Sequence, residues 1–419
     1  MSNPTAAASR TGLNSNQIKA LQKVLDDKKR GKVIDVVMGT PYAPDIEPIA
    51  AVGEDLTERF TDHFIKTSSW RVRFLMLDSE LSNAYAYWMS SFEAICLTTT
   101  MAREIAELSD DVARYLLKRS GHGSGFAYLT DVDLPLHVKH AALRSLLIQG
   151  AMTFFVGHEA GHLAAGHKAV IVTGASNADP DEEHVLFVDE FVAAAKAEGA
   201  TSNNRSLRLN AHEVDADVQG FALAAAFWLN LKGELEAADD LPAEAALICA
   251  SCTQPDRLLL LASTGAAIAM SIMGFKEFDG DWNKQPTHPL TAVRSLIGLV
   301  VLSKRLTQDQ AEQTTLRLLP QCVEALSLVH SRLGSLLLMA ARADGNYSPV
   351  ARMLEDAPKE QKLDLMFHAT GVAQAVSQSH DVVSYLAALS SEFDACASLR
   401  ASGVRVAPTS LAQWSALVL

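Results

Sequence analysis

The chain has few cysteines, no excess of positive charge, no repeated unit and no glycine loop of phosphate-binding spacing. Its five cysteines, an odd number, are spread along the chain as Cys96, Cys249, Cys252, Cys322 and Cys396. That excludes the disulfide framework of a small secreted domain. Cys249 and Cys252 form a C-x-x-C, but no second pair exists to complete a structural zinc site, so they read as two core thiols. The pattern suits a reducing compartment, and a cytoplasmic location is expected. A net charge of −13 argues against a nucleic-acid backbone as main partner. The first residues, MSNPTAAASRTGLNSNQ, lack the basic-then-apolar build of a signal peptide. The longest uncharged run, Leu258 to Phe275, is rich in Ala, Gly, Ser and Thr. It reads as a buried helix, and no integral membrane segment is expected. What the chain does have is apolar residue in quantity, 48% of 419 residues, enough for a substantial core.

Taken in order, residues 1 to about 14 are small and polar and predict disorder. Asn16 to Arg30 predicts an amphipathic helix with Ile18, Leu21 and Leu25 on one side. A proline-rich loop and a helical patch around Leu56 to Ile65 follow. Trp70 to Leu77 alternates, with Trp70, Val72, Phe74 and Met76 on one face and Arg71 and Arg73 on the other, which predicts a strand. Asn83 to Thr100 predicts a second strand region with a turn, and Met101 to Arg119 a helix. Pro135 to about Ile171 reads as one long helix or two in tandem, buried through Leu146, Leu147, Met152, Phe154 and Phe155. Thr173 to Leu209 reads as an insertion, acidic early and rich in Ser and Asn from Thr201 on. A helix is expected from Asn210, as N-cap, to Leu231, and another over residues 243 to 275. From Thr291 on almost everything looks helical.

The chemistry is concentrated in Gly157 to His167, GHEAGHLAAGH. It holds His158, Glu159 and His162 in the order H-E-x-x-H. On a helix, positions i and i+4 share a face, so both imidazoles can reach one metal ion. Glu159 sits beside them and can take a proton from a water activated there. A catalytic zinc needs three protein ligands and an open position. The third must come from elsewhere, and the segment HEVDADVQG offers Glu213, Asp215 and Asp217. Glu213 and Asp217 are one helical turn apart. One can bind metal while the other hydrogen-bonds a ligand histidine from behind. A metzincin arrangement fits poorly, because the position ten residues after His158 is Lys168 and His167 falls one short, so Glu213 is the better third ligand than His167 or His212.

The order HEAGH, then E-x-D-A-D, then Thr287-His288-Pro289 with Arg294 resembles gluzincin endopeptidases of the CAAX prenyl protease type. That family includes membrane quality-control proteases and small soluble members. His167, and the stretch Asn83 to Ala86 followed by Ile95 to Thr100, add to the resemblance. The pattern is also similar to the phage-exclusion (Lit-like) peptidases. The resemblance covers about residues 70 to 300. Two departures stand out: nearly sixty residues separate the Thr98–Thr100 strand from His158, and the membrane helices of the best-known members are missing.

The resemblance implies roles residue by residue. His158, His162 and Glu213 would hold Zn2+, Glu159 would be the general base, and Asp217 would support a ligand histidine. His288 would stabilise the oxyanion, and Arg294 would orient groups near the metal. The fold class expected is α+β and mainly helical, a zincin-like core of small sheet and H-E-x-x-H helix with a helical C-terminal extension. The expected organisation is a flexible N-terminus and short helix at 1–30, a metallopeptidase domain at 31–300 and a helical region at 301–419. The expected activity is that of a zinc metalloendopeptidase acting on a protein or peptide substrate. The alternative is a catalytically silent zinc-binding regulatory or partner-binding protein.

Overall fold

A computed structural model of the chain describes residues 9–64, 72–89, 91–119, 126–164, 202–238, 241–242 and 245–277, together with 298, 302 and 306. The described residues are mainly helical with a small mixed four-stranded sheet, an α+β fold. The chain divides into two compact units. One is built on Met1–Glu104, the other on Ile105–Gly161 and Ala200–Ser398.

The first unit opens with α1 (Ser15–Asp27). Its start is set by a capping box: the Asn14 side chain accepts from the backbone N–H groups of Asn16 and Gln17, both at 3.0 Å, and the Gln17 side chain accepts from Asn14 N–H. The short β1 (Lys32–Val33) follows, then α2 (Glu47–Phe64), β2 (Val72–Asp78), β3 (Ala84–Trp88) and β4 (Glu93–Thr98). The strand order is β1-β2-β4-β3. β2 and β4 run parallel; β1 is antiparallel to β2 and β3 to β4. β3 therefore overshoots to the edge, and β4 returns between it and β2.

Alternate residues of the sheet, Leu75, Leu77, Tyr85, Tyr87, Ala94 and Cys96, form one core cluster with Leu21 and Leu25 of α1. Phe74, Met76, Ile95 and Leu97, on the other face, are also buried. Burial on both faces is why the apolar/polar alternation expected for β2 stops after Arg73. The disorder expected up to residue 14 does not hold from residue 9 onward. Ser9 bridges to Val37, Leu13 is buried, and Arg10 pairs with Glu47 at 2.8 Å and Glu54 at 2.9 Å while lying over the Tyr42 ring. A polar, small-residue composition concealed one arginine with two carboxylate partners.

The second unit takes in most of α3 (Thr99–Arg119) and α4 (Leu136–Ala164) up to Gly161, then α5 (Ser202–Ala237), α6 (Ala246–Cys252) and α7 (Pro255–Glu277). α4 is apolar nearly all round and buried along most of its length, including Leu146, Leu147, Met152, Phe154 and Phe155. α5 begins at Ser202, eight residues before the expected N-cap, so Asn210 stands inside the helix. The Ser- and Asn-rich stretch from Thr201 is therefore mostly helical rather than part of a loop insertion. Low propensity has yielded there to the continuity of a 36-residue helix.

The uncharged run Leu258 to Phe275 lies in α7, and two of its three hydroxyls are satisfied locally, while the buried Ser263 Oγ has no hydrogen-bond partner among the described residues. Thr264 and Ser271 donate to the carbonyls of Leu260 and Ala267, at 2.7 and 2.6 Å. Among the described residues no helix is long and apolar enough to cross a membrane. Cys252 is buried and Cys249 half-buried, both free thiols as expected. Burial pushes the Cys252 thiol up to about 12. The rest of the expected insertion at 173–201 and nearly all of the expected helices from Thr291 on lie outside the described residues.

Candidate metal centre

The site is built where α4 and α5 cross. The crossing is made of small residues. A Cβ placed on Gly157 would stand 2.8 Å from the Gly220 carbonyl oxygen, and one on Gly220 would stand 2.8 Å from the His158 nitrogen. A Cβ on Gly161 would come within 2.7 Å of the Ala216 carbonyl oxygen. With no side chain between them, the two backbones approach more closely than ordinary helix pairs. Short acidic side chains on α5 can then reach the imidazoles of α4.

The pairs follow an antiparallel ladder, one helical turn per rung. His162 stands with Glu213, His158 with Asp217, and Phe154 with Phe221. His158 Nδ1 lies 2.9 Å from Asp217 Oδ1, and His158 Nε2 lies 3.4 Å from Glu213 Oε2. The face of the His158 ring stacks on Phe154 with centroids 5.9 Å apart and planes at 30°. His158, Glu159, Glu213 and Asp217 are all buried, Asp217 completely; His162 is half-buried.

His158, His162 and Glu213 form a group that can hold a metal ion. One donor atom from each lies within 4.8 Å of the other two. Two ligands on a tetrahedral zinc at bond lengths of about 2.0–2.1 Å stand roughly 3.3–3.4 Å apart. The His158–Glu213 separation of 3.4 Å already has that value. Two imidazoles and a carboxylate are also a donor set used by catalytic zinc. The Asp217 carboxylate faces Nδ1, where it can accept that proton and leave Nε2 turned toward the group.

Electrostatics run the same way. Burial acts to lower the His158 pKa, but hydrogen bonds and charge from Asp217 and Glu213 outweigh it and raise the value to about 10. A cation is therefore favoured between these carboxylates, whether a proton or a metal ion.

Of the three acidic candidates on α5, Glu213 joins the imidazoles and Asp217 takes the supporting position. Asp215 is fully buried and outside the donor group. Glu159 is 7% exposed on α4 beside His158. His288 and Arg294 fall outside the described residues. Sequence reasoning had placed Phe154 in the core without connecting it to the site, and missed Phe221, Gly157, Gly161 and Gly220. Their signal was spacing: glycines four apart around His158, a small residue and a glycine four apart at Ala216 and Gly220, and an aromatic one turn before His158 and one turn after Asp217. No protein-family model, curated protein or solved structure matches this chain, so the reading of the site rests on its own residues.

Proposed function

We propose that the chain is a zinc-dependent endopeptidase with a zincin-like core, acting on protein or peptide substrates. The observation that carries the reading is the convergence of His158, His162 and Glu213 on one point, with Glu159 in the same motif. His158, His162 and Glu213 would hold the ion. A bound zinc would supply Lewis acidity, lowering the pKa of a water and polarising a carbonyl.

The chain's own residues do the rest. Glu159 takes the proton of the attacking water and delivers it to the leaving amine. Asp217 keeps the His158 Nδ1 proton in place and so keeps Nε2 free to donate its lone pair. His288 and Arg294 retain the oxyanion and orienting roles that the resemblance implies. Free thiols at Cys96, Cys249 and Cys252 accord with a reducing, cytoplasmic setting.

The test joins metal analysis to hydrolysis. The purified chain should carry or take up one zinc, cleave casein or a peptide library, and lose cleavage when a chelator removes the ion. Stoichiometric zinc with no cleavage of any peptide would replace the enzyme by a silent zinc-binding protein. Absence of metal binding would end both readings.

A further inference from the structure

We infer that Phe154 and Phe221 are positioning residues for His158, held in place by the close approach of Gly298. The inference rests on the metal reading above and concerns what fixes the ring plane of one ligand.

Asp217 and Glu213 meet His158 at its two nitrogens, at 2.9 and 3.4 Å. Both contacts are made at the ring edge. They direct the nitrogens, and packing on the ring face adds a second restraint against a tilt about Cβ–Cγ. The χ2 torsion of histidine is broad, so the side chain itself does not stop that tilt. A tilt matters because the donating lone pair lies in the ring plane. Phe154 packs on that face, stacked one turn earlier on the same helix.

Phe154 is held in turn. Phe221 packs on it with centroids 4.8 Å apart, and Phe155 meets its edge at 6.3 Å. Phe154, Phe155 and Phe221 are each 1% exposed or less. Behind Phe221 stands Gly298. A methyl group built there would lie 1.9 Å from Phe221 Cζ, far closer than two carbon atoms can stand without a bond. Only a residue without a side chain lets the chain come so near. Leu302 and Leu306, at four-residue steps from Gly298, are buried as well, so these positions present one inward face. The line from Gly298 through Phe221 and Phe154 to His158 is continuous, closely packed and without a polar group before the imidazole.

The experiment measures zinc affinity by chelator competition, the visible spectrum of the cobalt-substituted protein, and the melting midpoint of the metal-free protein. Phe154→Leu keeps apolar volume and removes the flat face. It should weaken zinc binding by about 10-fold or more, in the range seen when supporting partners of a ligand are removed. It should also shift and broaden the cobalt bands. Phe221→Leu and Gly298→Ala should do the same to a smaller degree, and they keep the question answerable if Phe154→Leu fails to fold. Trp228→Phe alters a fully buried aromatic two turns farther along α5 and should lower the melting midpoint without changing affinity or spectrum.

Unchanged affinity and an unchanged cobalt spectrum in the phenylalanine variants would overturn the inference and leave the metal centre standing. So would a loss of affinity matched by Trp228→Phe, since that would be ordinary destabilisation. If the unsubstituted chain binds neither zinc nor cobalt, the inference falls together with the metal reading.

Discussion

His158 Nδ1 stands 2.9 Å from Asp217 Oδ1 in a place where Asp217 has no exposure to solvent. A carboxylate so buried is costly unless paired, and it is paired with the ring that carries a metal-donor nitrogen on its far side. Asp217→Asn should keep the packing and lose the charge. Zinc affinity is expected to fall about 10- to 100-fold, read by chelator competition. An affinity within twofold of the unsubstituted chain would remove Asp217 from the site.

Glu159→Gln separates binding from chemistry. The amide cannot accept a proton, while the donor group at His158, His162 and Glu213 is untouched. Zinc content should stay at one per chain and hydrolysis should fall by at least about 10²-fold. Cleavage surviving at full rate would assign the base elsewhere.

The pH behaviour of the metal-free chain follows from His158. Its folded pKa, about 10, lies above the ordinary 6.5. Its contribution to stability is therefore complete below about 6.5 and is lost as pH rises through 10. The metal-free melting midpoint should decline over that window, and less so in a His158→Gln variant. Metal must displace the same proton, so zinc affinity should rise with pH, and calorimetry in buffers of different ionisation heat should register proton release. Affinity independent of pH between 6 and 9 would contradict a protonated His158.

Two glycine substitutions should part company. Gly220→Ala puts a methyl 2.8 Å from the His158 nitrogen, and Gly265→Ala puts one 2.5 Å from the Gly150 Cα, where α4 meets α7. In both cases the obstacle is backbone. Each should cost about 1–3 kcal/mol of stability, measured by denaturant unfolding. Gly220→Ala alone should also weaken zinc binding, because it pushes on the residue that bears the ligand.

In the first unit, Arg10 holds Glu47 below its ordinary 4.5, chiefly by a side-chain hydrogen bond, while burial acts to raise it. A depressed carboxylate adds stability above its unfolded value and loses it as pH falls. Arg10→Ala should cost about 1–3 kcal/mol near neutrality. The gap between variant and unsubstituted chain should narrow below pH 4.5 as Glu47 takes up its proton. A gap that stays constant to pH 3 would show that packing over Tyr42, rather than charge, explains the loss.

Much of this architecture is legible in the sequence, and the reasons are local. α1 is written by Leu21, Leu25 and a capping box; β3, β4 and α3 by a hydrophobic run that a turn and then Thr99 interrupt. The metal group is legible because a helix converts four-residue spacing into one face. What stayed hidden depends on partners distant in the chain. Arg10 looked like part of a polar tail until Glu47 and Glu54 were beside it. Asn210 looked like a cap because Asn is a good one, although the helix had already begun at Ser202. Leu75 and Leu77 broke the alternation of β2 because α1 covers their face.

The bare crossing of α4 and α5 leaves little freedom in register. Each residue inserted into a helix turns everything beyond it by about 100°. One extra residue between Glu213 and Gly220, with the glycine contact kept, would swing Glu213 off the imidazoles, and Asp217 as well where it falls after Asp217, and leave the cation without a third donor. Lengthening the connection between Ala164 and Ser202 carries no such penalty, since neither helix would rotate. Drift in chain length should therefore be confined to that connection and forbidden within the seven residues from Glu213 to Gln219.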